Sequence, residues 1–183
     1  MTNVFIGGSR KLTKLTAPIE GRIFNIIKND FTILIGDANG ADKCVQHFLA
    51  SKCYANVIVF CMGDTCRNNI GNWEIKRIVA TSNEKNFDFY AIKDLQMAEE
   101  SSYGFMIWDG RSNGTLNNIL NLLRRRKKVL VYFSPEMSFF TLNGVDNLIA
   151  LLARCEKGAL EKFEKKLGLT KFLKKEQSNL EFA

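Results

Sequence analysis

The sequence predicts an α/β protein with a mostly parallel sheet covered by helices on both faces. Three observations predict it. Short apolar runs alternate with segments of helical apolar spacing, and the connections between them are short. The runs are nearly continuous in Val, Ile, Leu and Phe rather than alternating with polar residues, as expected of strands buried on both faces. At three places a strand gives way to a glycine-containing polar turn and then to a helix.

The elements follow in order. Asn3–Ile6 reads as a buried strand ending in Gly7-Gly8-Ser9-Arg10. Pro18 suits the first turn of a helix carrying Ile19, Ile23, Phe24, Ile26 and Ile27, and Asn29-Asp30 stops it. Phe31–Ile35 is the second strand, followed by the GDANGAD turn at 36–42 and a helix with Val45, Phe48 and Leu49 on one face, ending near Lys52. Val57–Met62 is the third strand. Residues 63–86 interrupt the alternation, being rich in Asn, Gly, Thr and Ser. Within this stretch and just after it, the spacing predicts a short helix over 74–80, an extended segment over Phe87–Ile92 and a helix over Asp94–Ser102. The central stretch of the chain is YGFMIWDGRSNGT at 103–115, an apolar strand to Trp108 and then an abrupt polar turn. A helix over Leu116–Arg126 and a strand over Val129–Phe133 follow, with Pro135 ending the strand. Helices are expected near Val145–Cys155 and Gly158–Leu167, with Leu148, Leu151, Leu152, Leu160, Phe163 and Leu167 inward, and a loose tail from about Gln177.

With 183 residues, no internal repeat and no linker, one domain over 1–183 is expected. No apolar run is long enough to span a bilayer, and MTNVFIGGSR lacks the features of a signal peptide, so no membrane partner and a cytoplasmic location are expected. The five cysteines, Cys44, Cys53, Cys61, Cys66 and Cys155, form no C-x-x-C pair and read as free thiols. Those at 44, 53 and 61 lie among apolar neighbours, while Cys66 beside Arg67 has the alternative of a lowered pKa. A single histidine, His47, inside a helix argues against a histidine metal site or a Ser–His pair, and no metal or cofactor is expected. The net charge of +7 is uneven: thirteen Lys/Arg face five Asp/Glu between Arg124 and Lys175, a balance of +8. That excess is either a solvated helix surface or an attraction for nucleic acid.

Four segments carry chemistry. In Gly7-Gly8-Ser9-Arg10, glycines admit a ligand to the backbone, Ser9 adds a hydroxyl and Arg10 a guanidinium fork that matches phosphate; a plain tight turn reads the same way. In 36–42, Gly36 and Gly40 bracket Asp37 and Asn39, and Asp42 opens a helix. Asp37 is placed to reach a sugar hydroxyl or a water, whereas Asp42 also reads as a first-turn acid. In 108–115, Asp109, Ser112, Asn113 and Thr115 offer hydrogen bonds, with Gly110 and Gly114 between them; Thr115 has the alternative of a helix N-cap. In CRNNIGNW at 66–73, Arg67, Asn68, Asn69 and Trp73 read as a lid that stacks a base, or as a surface loop with Trp73 in the core. Strand carboxyl ends in open α/β sheets are where ligands bind, and free N–H groups at helix starts suit an anion.

In order and spacing, VFIGGSR at 4–10, GDANGAD at 36–42 and WDGRSNGT at 108–115 resemble the SLOG superfamily. That group includes the LOG phosphoribohydrolases, the DNA-processing protein DprA and the YspA/YpsA-like proteins, and the YspA-like branch is the nearest in pattern. The resemblance covers about residues 3–134 and implies a Rossmann-like three-layer α/β/α domain that binds nucleotides or their derivatives. Some members cleave N-glycosidic bonds; others are regarded as sensors of nucleotide signals in bacterial and phage conflict. LOG-type hydrolases place a catalytic glutamate three residues after the Gly-Thr pair, and here that residue is Asn118, which is neither base nor carboxylate nucleophile. The expectation is therefore binding, with Gly7, Gly8, Ser9, Arg10, Gly114 and Thr115 on phosphate and Asp37 and Asp109 on sugar hydroxyls. Alternatives are hydrolysis through Asp37 or Asp109, and single-stranded nucleic-acid binding. A homodimer or higher homo-oligomer is expected from the relatives' habit of completing sites across subunits.

Overall fold

A computed structural model describes residues 1–79 and 87–181. The chain runs β1 (Asn3–Gly8), α1 (Ala17–Lys28), β2 (Thr32–Gly36), α2 (Ala41–Ser51), β3 (Val57–Met62), β4 (Glu74–Ile78), α3 (Phe87–Glu100), β5 (Tyr103–Trp108), α4 (Asn113–Arg124), β6 (Val129–Phe133), a 3-10 turn (Ser134–Glu136), β7 (Ser138–Leu142), α5 (Val145–Leu152), α6 (Lys157–Leu167) and α7 (Leu169–Glu181). The strands form one sheet in the order β4-β3-β2-β1-β5-β6-β7. Every pairing is parallel except β6 with β7. This is the Rossmann-like α/β architecture.

Strand side chains alternate between two apolar layers. Val4, Ile6, Ile33, Ile35, Phe105 and Ile107 pack on α1 and α2 through Ile19, Ile23, Ile26, Val45 and Leu49. Phe5, Leu34, Met106, Trp108, Val131 and Phe133 point the other way, against α3 to α7. The C-terminal helices belong to this second layer: Phe163 of α6 is fully buried, and its ring centroid lies 5.8 Å from that of Trp108.

Four local expectations are corrected. The 74–80 segment is a strand at 74–78, held by parallel pairing to β3 from Ile58↔Glu74 to Met62↔Ile78, so sheet pairing overrides the helical propensity of its charged residues; residues 80–86 lie outside the described residues. The segment 87–92 opens α3 rather than being extended, its aromatic residues having mimicked a strand. Helix α4 begins at Asn113, three residues earlier than expected, because Ser112 caps it. Strand β7 escaped notice because its side chains are mostly exposed and lack a buried pattern. Beyond these, Gly168, at φ +59°, ends α6 and α7 follows over Leu169–Glu181.

The cysteines also differ from expectation. The chain turns back after β3 and brings Cys66 onto Cys61, and the two form a disulfide with Cα atoms 5.2 Å apart. Cys66 is therefore not a free thiol beside Arg67. Cys44 and Cys155 are half-buried and free, and Cys53 is exposed rather than among apolar neighbours.

Phe163→Ala removes a fully buried ring from beneath Trp108 and is expected to cost about 3 to 5 kcal/mol of stability in urea unfolding. A cost below about 1 kcal/mol would separate α6 from the sheet's core.

Candidate functional site

Beside β1 the connections diverge. The chain leaves β1 for β2 on one side and leaves β5 for β6 on the other, so the carboxyl ends of β1 and β5 part and open a crevice. A cavity of about 520 Å³ occupies it, within the roughly 300–1,000 Å³ usual for small-molecule sites. Gly7, Gly8 and Arg10 line it from the first turn, Asp42 from the start of α2, and Arg67 from the 63–73 loop. Lys93 and Asp94 line it from α3, and Asp109, Ser112, Asn113, Gly114, Thr115 and Asn118 from the third turn and α4.

An ionic floor holds these elements together. Lys93 and Asp37 are both almost entirely buried, and the Lys93 Nζ lies 3.1 Å from Asp37 Oδ1 and 3.8 Å from Asp94 Oδ1. Arg67 closes a fork on Asp37: Nη2 donates to Oδ1 at 2.6 Å, while Nε and the backbone N–H donate to Oδ2 at 3.0 and 3.1 Å. Burial opposes the Asp37 charge, yet the Arg67 bonds and the Lys93 ammonium outweigh it and hold the carboxyl at about 2. Asp42 lies beside the same lysine with less help: burial raises it to about 6 despite Lys93, and the Asp94 charge adds to the rise. Burial likewise raises Asp94, against the pull of Lys93, the Asn118 hydrogen bond and Arg10. A Cβ at Gly36 would stand 2.5 Å from Asp42 Oδ2 and 2.8 Å from Lys93 Nζ, so a side chain there would displace these two groups of the floor.

The third turn is built from hydrogen bonds. Asp109 Oδ1 accepts the N–H groups of Arg111 (3.0 Å) and Ser112 (2.8 Å), and its own N–H donates to Ser9 Oγ at 3.1 Å, tying the first turn to the third. Ser112 Oγ caps α4 by accepting the Thr115 N–H at 3.4 Å and the Thr115 hydroxyl at 3.0 Å, so Ser112, not Thr115, is the N-cap. The Trp108 indole donates to the Ser112 carbonyl at 3.1 Å, joining the turn to the core. Gly110 turns at φ +69° against the Phe133 ring. Gly114 faces open space, with nothing within 4 Å of where a Cβ would stand.

Other named residues support the crevice without lining it. Ser9 is buried in its bond to Asp109. Gly40, at φ +84°, fits against the backbone of Arg10. Asn68 donates to the Asp37 carbonyl (2.7 Å) and to Asn39 Oδ1 (3.1 Å). Asn69 closes its own loop on the backbone N–H and carbonyl of Trp73. The Trp73 indole donates to the Tyr54 carbonyl at 2.7 Å and its ring packs on the α1/α2 layer, away from the cavity. Asp37, Cys61 and Cys66 have ligand atoms within 4.8 Å of one another. The sulfurs are bonded to each other and the carboxylate is held by two cations, which leaves no donor set for a metal ion there.

Sequence reasoning missed three contributors. Lys93 and Asp94 lie on the same helical stripes as buried Met97 and Ala98, four residues on, so charge on an apolar face was the available signal. Gln46, fully buried, donates to the Gly36 carbonyl at 2.9 Å and accepts the Ile70 N–H at 3.0 Å, fastening the loop to β2. A buried polar residue one turn after Asp42 was its only trace. Conversely, of the two carboxylates weighed for hydrolysis, Asp37 has both oxygens engaged within the protein and Asp109 has its Oδ1 engaged by the third turn.

Asp42 provides a pH test. Its folded pKa lies above the unfolded value of 3.8, so the folded state holds the extra proton between about pH 4 and 6, and stability falls as pH rises through that window. Asp42→Asn is expected to gain about 2 to 3 kcal/mol over the native chain at pH 8 and nothing at pH 3.5, in urea unfolding. Equal curves at both pH values would contradict the burial of its charge.

Comparison with known proteins agrees with the fold. No family model matches the chain, and no curated protein matches it. Among solved structures it is similar to DNA processing protein A from Helicobacter pylori, described for its single-stranded DNA binding mode. The TM-score is 0.52 at 15% identity; the match covers 71% of this chain and 64% of that one. The chain therefore shares the Rossmann-like α/β fold of DNA processing protein A.

Proposed function

We propose that the chain binds a nucleotide or nucleotide-derived small molecule in the crevice at the carboxyl ends of β1, β2 and β5. One observation carries the reading: two glycine turns, a guanidinium and the N-terminus of α4 line one cavity of mononucleotide size. Helix N-termini offer unpaired N–H groups and the positive end of the dipole, and arginine forks match phosphate oxygens. In this reading Gly7, Gly8 and Arg10 hold the phosphate together with Gly114 and Thr115. Ser9 and Asp109 fix the distance between the two turns, and Asp37 fixes Arg67 over the mouth. The three motifs also support assigning the chain to the YspA-like branch of the SLOG group, as a binder rather than a hydrolase, because Asn118 stands where the hydrolytic glutamate would be.

A second reading rests on a separate feature. At the other end of α4, a cavity of about 820 Å³ is lined by Arg124, Arg126, Lys171 and Lys175, with Glu176 as its single acid. Four cations in one hollow suit the backbone of a single-stranded nucleic acid, the ligand described for DNA processing protein A.

Calorimetric titration with adenosine 5′-monophosphate and with a single-stranded oligonucleotide separates the two. The first reading expects saturable mononucleotide binding that Arg10→Ala weakens about tenfold or more, the scale of one charge-assisted phosphate contact, while the double change Arg124→Glu, Lys171→Glu leaves it unaltered. Oligonucleotide binding alone, salt-sensitive and abolished by the double change, would replace the first reading with the second.

A further inference from the structure

We propose that Asp94 selects the sugar: its carboxylate receives the vicinal hydroxyls of a ribose, so the crevice takes ribonucleotides in preference to deoxyribonucleotides. The inference rests on the nucleotide-binding reading above and concerns what lies beneath the phosphate.

The geometry begins with Asn118. It stands three residues after Thr115 on α4, a little less than one helical turn below the phosphate cradle, about 4.5 Å along the axis. That is the scale of the gap between a sugar's phosphate ester and its ring hydroxyls. With its nitrogen oriented toward acceptors, the Asn118 amide donates to Asp94 Oδ2 at 3.1 Å and to the Gly114 carbonyl at 3.3 Å. The amide thus sets the Asp94 carboxylate at this level of the crevice from α4, while Lys93 approaches its other oxygen at 3.8 Å from α3. Gly7 keeps the opposite wall low, its bare Cα facing the Asn118 amide with a Cβ position 3.7 Å from that amide's other end, its oxygen in this orientation.

Chemistry then restricts the guest. Burial raises the Asp94 carboxyl, and a hydroxyl suits either of its forms: the ionised group only accepts, the protonated group donates from one oxygen and accepts at the other, and a hydroxyl both donates and accepts. Phosphate oxygens do not donate at neutral pH, and Arg10 already draws the anionic end of a ligand to the rim. A neighbouring pair of hydroxyls presents two donors to the two carboxylate oxygens. Asn113, on the same wall, adds a second acceptor: its Oδ1 is buried and has no hydrogen-bond partner among the described residues. A cavity with exposed cations around it, and below them the Asp94 carboxylate and the unpartnered Asn113 oxygen, matches a sugar phosphate with the hydroxyls inward. Asp37 cannot serve in this way, because Arg67 and Lys93 fill its oxygens. A site built to receive a hydroxyl also rejects the analogue that lacks it, since the acceptor is left buried and unpaired.

The test compares adenosine 5′-monophosphate, 2′-deoxyadenosine 5′-monophosphate and inorganic phosphate by calorimetry on the native chain. The expected result is at least about tenfold tighter binding of the ribonucleotide than of the deoxyribonucleotide. Asp94→Ala is expected to bring that ratio below about threefold, chiefly by weakening the ribonucleotide. Equal binding of both nucleotides by the native chain overturns the sugar assignment and leaves the phosphate site standing. Absence of binding by either nucleotide overturns both. A ratio that survives Asp94→Ala in a folded variant places sugar discrimination elsewhere and overturns the role of Asp94. The first comparison needs no substitution, so a variant that fails to fold does not shield the proposal.

Discussion

A lysine ammonium inside a protein has to be paired, and the constraint that organises this molecule is the pairing of Lys93. Removing an ion from water costs several kcal/mol, which is recovered only when partners meet it in good geometry. Lys93 meets Asp37 at the end of β2, lies beside Asp42 at the start of α2, and approaches its neighbour Asp94 on α3. Arg67 completes the arrangement from the loop after β3. Four separate pieces of chain must therefore be in position together. Gly36 leaves room for that, because a Cβ there would crowd both the Asp42 carboxylate and the Lys93 ammonium. The same cluster provides both the rigidity of the crevice floor and its unequal carboxyls, one held strongly ionised and two pushed upward by burial.

The crevice above this floor is polarised from rim to base. Arg10, Arg67 and Arg111 lie around the cavity with the N-terminus of α4, while Asp42, Asp94 and the Asn118 amide lie with Lys93 lower in it. The Ser9–Asp109 hydrogen bond sets the spacing of the two rim turns, and Trp108 fixes one of them to the core through the Ser112 carbonyl. The disulfide at Cys61–Cys66 and the buried amide of Gln46 hold the 63–73 loop where Arg67 can reach Asp37. Rigid support on three sides suits recognition of a small anionic molecule, for which a pre-formed site avoids the entropic cost of ordering loops on binding.

Much of this was legible from the residues. Continuous apolar strands and three glycine-rich turns gave a parallel sheet with a crevice at its carboxyl edge, because burial on both faces leaves no alternation to misread. Arg10, Asp42, Arg67, Asp109, Ser112, Gly114 and Thr115 stood out in the sequence and line the cavity or stand at its rim. Local patterns failed where tertiary contacts decide. Sheet pairing made a strand of Glu74–Ile78, and the aromatic run at 87–92, strand-like by composition, opens a helix. Asp37 looked like a ligand contact because its position past β2 is right, but only the fold brings Arg67, 30 residues away, and Lys93, 56 residues away, onto its oxygens. The pairing of Asp94 with Asn118 is equally invisible in sequence, since the two belong to different helices. Trp73, read as a base-stacking residue or a core plug, takes the second role because the Tyr54 carbonyl receives its indole N–H.

Whether the ends of β1, β2 and β5 act as one anion-binding crevice is tested most directly by amide chemical-shift mapping. On titration of the isotopically labelled full chain with adenosine 5′-monophosphate, the amides of Gly7, Gly8, Gly114 and Thr115 are expected to shift together along a single saturation curve, with those of Arg124–Arg126 and Lys171 unmoved. Shifts confined to Arg124–Arg126 and Lys171, or independent curves for the first and third turns, would contradict a shared crevice.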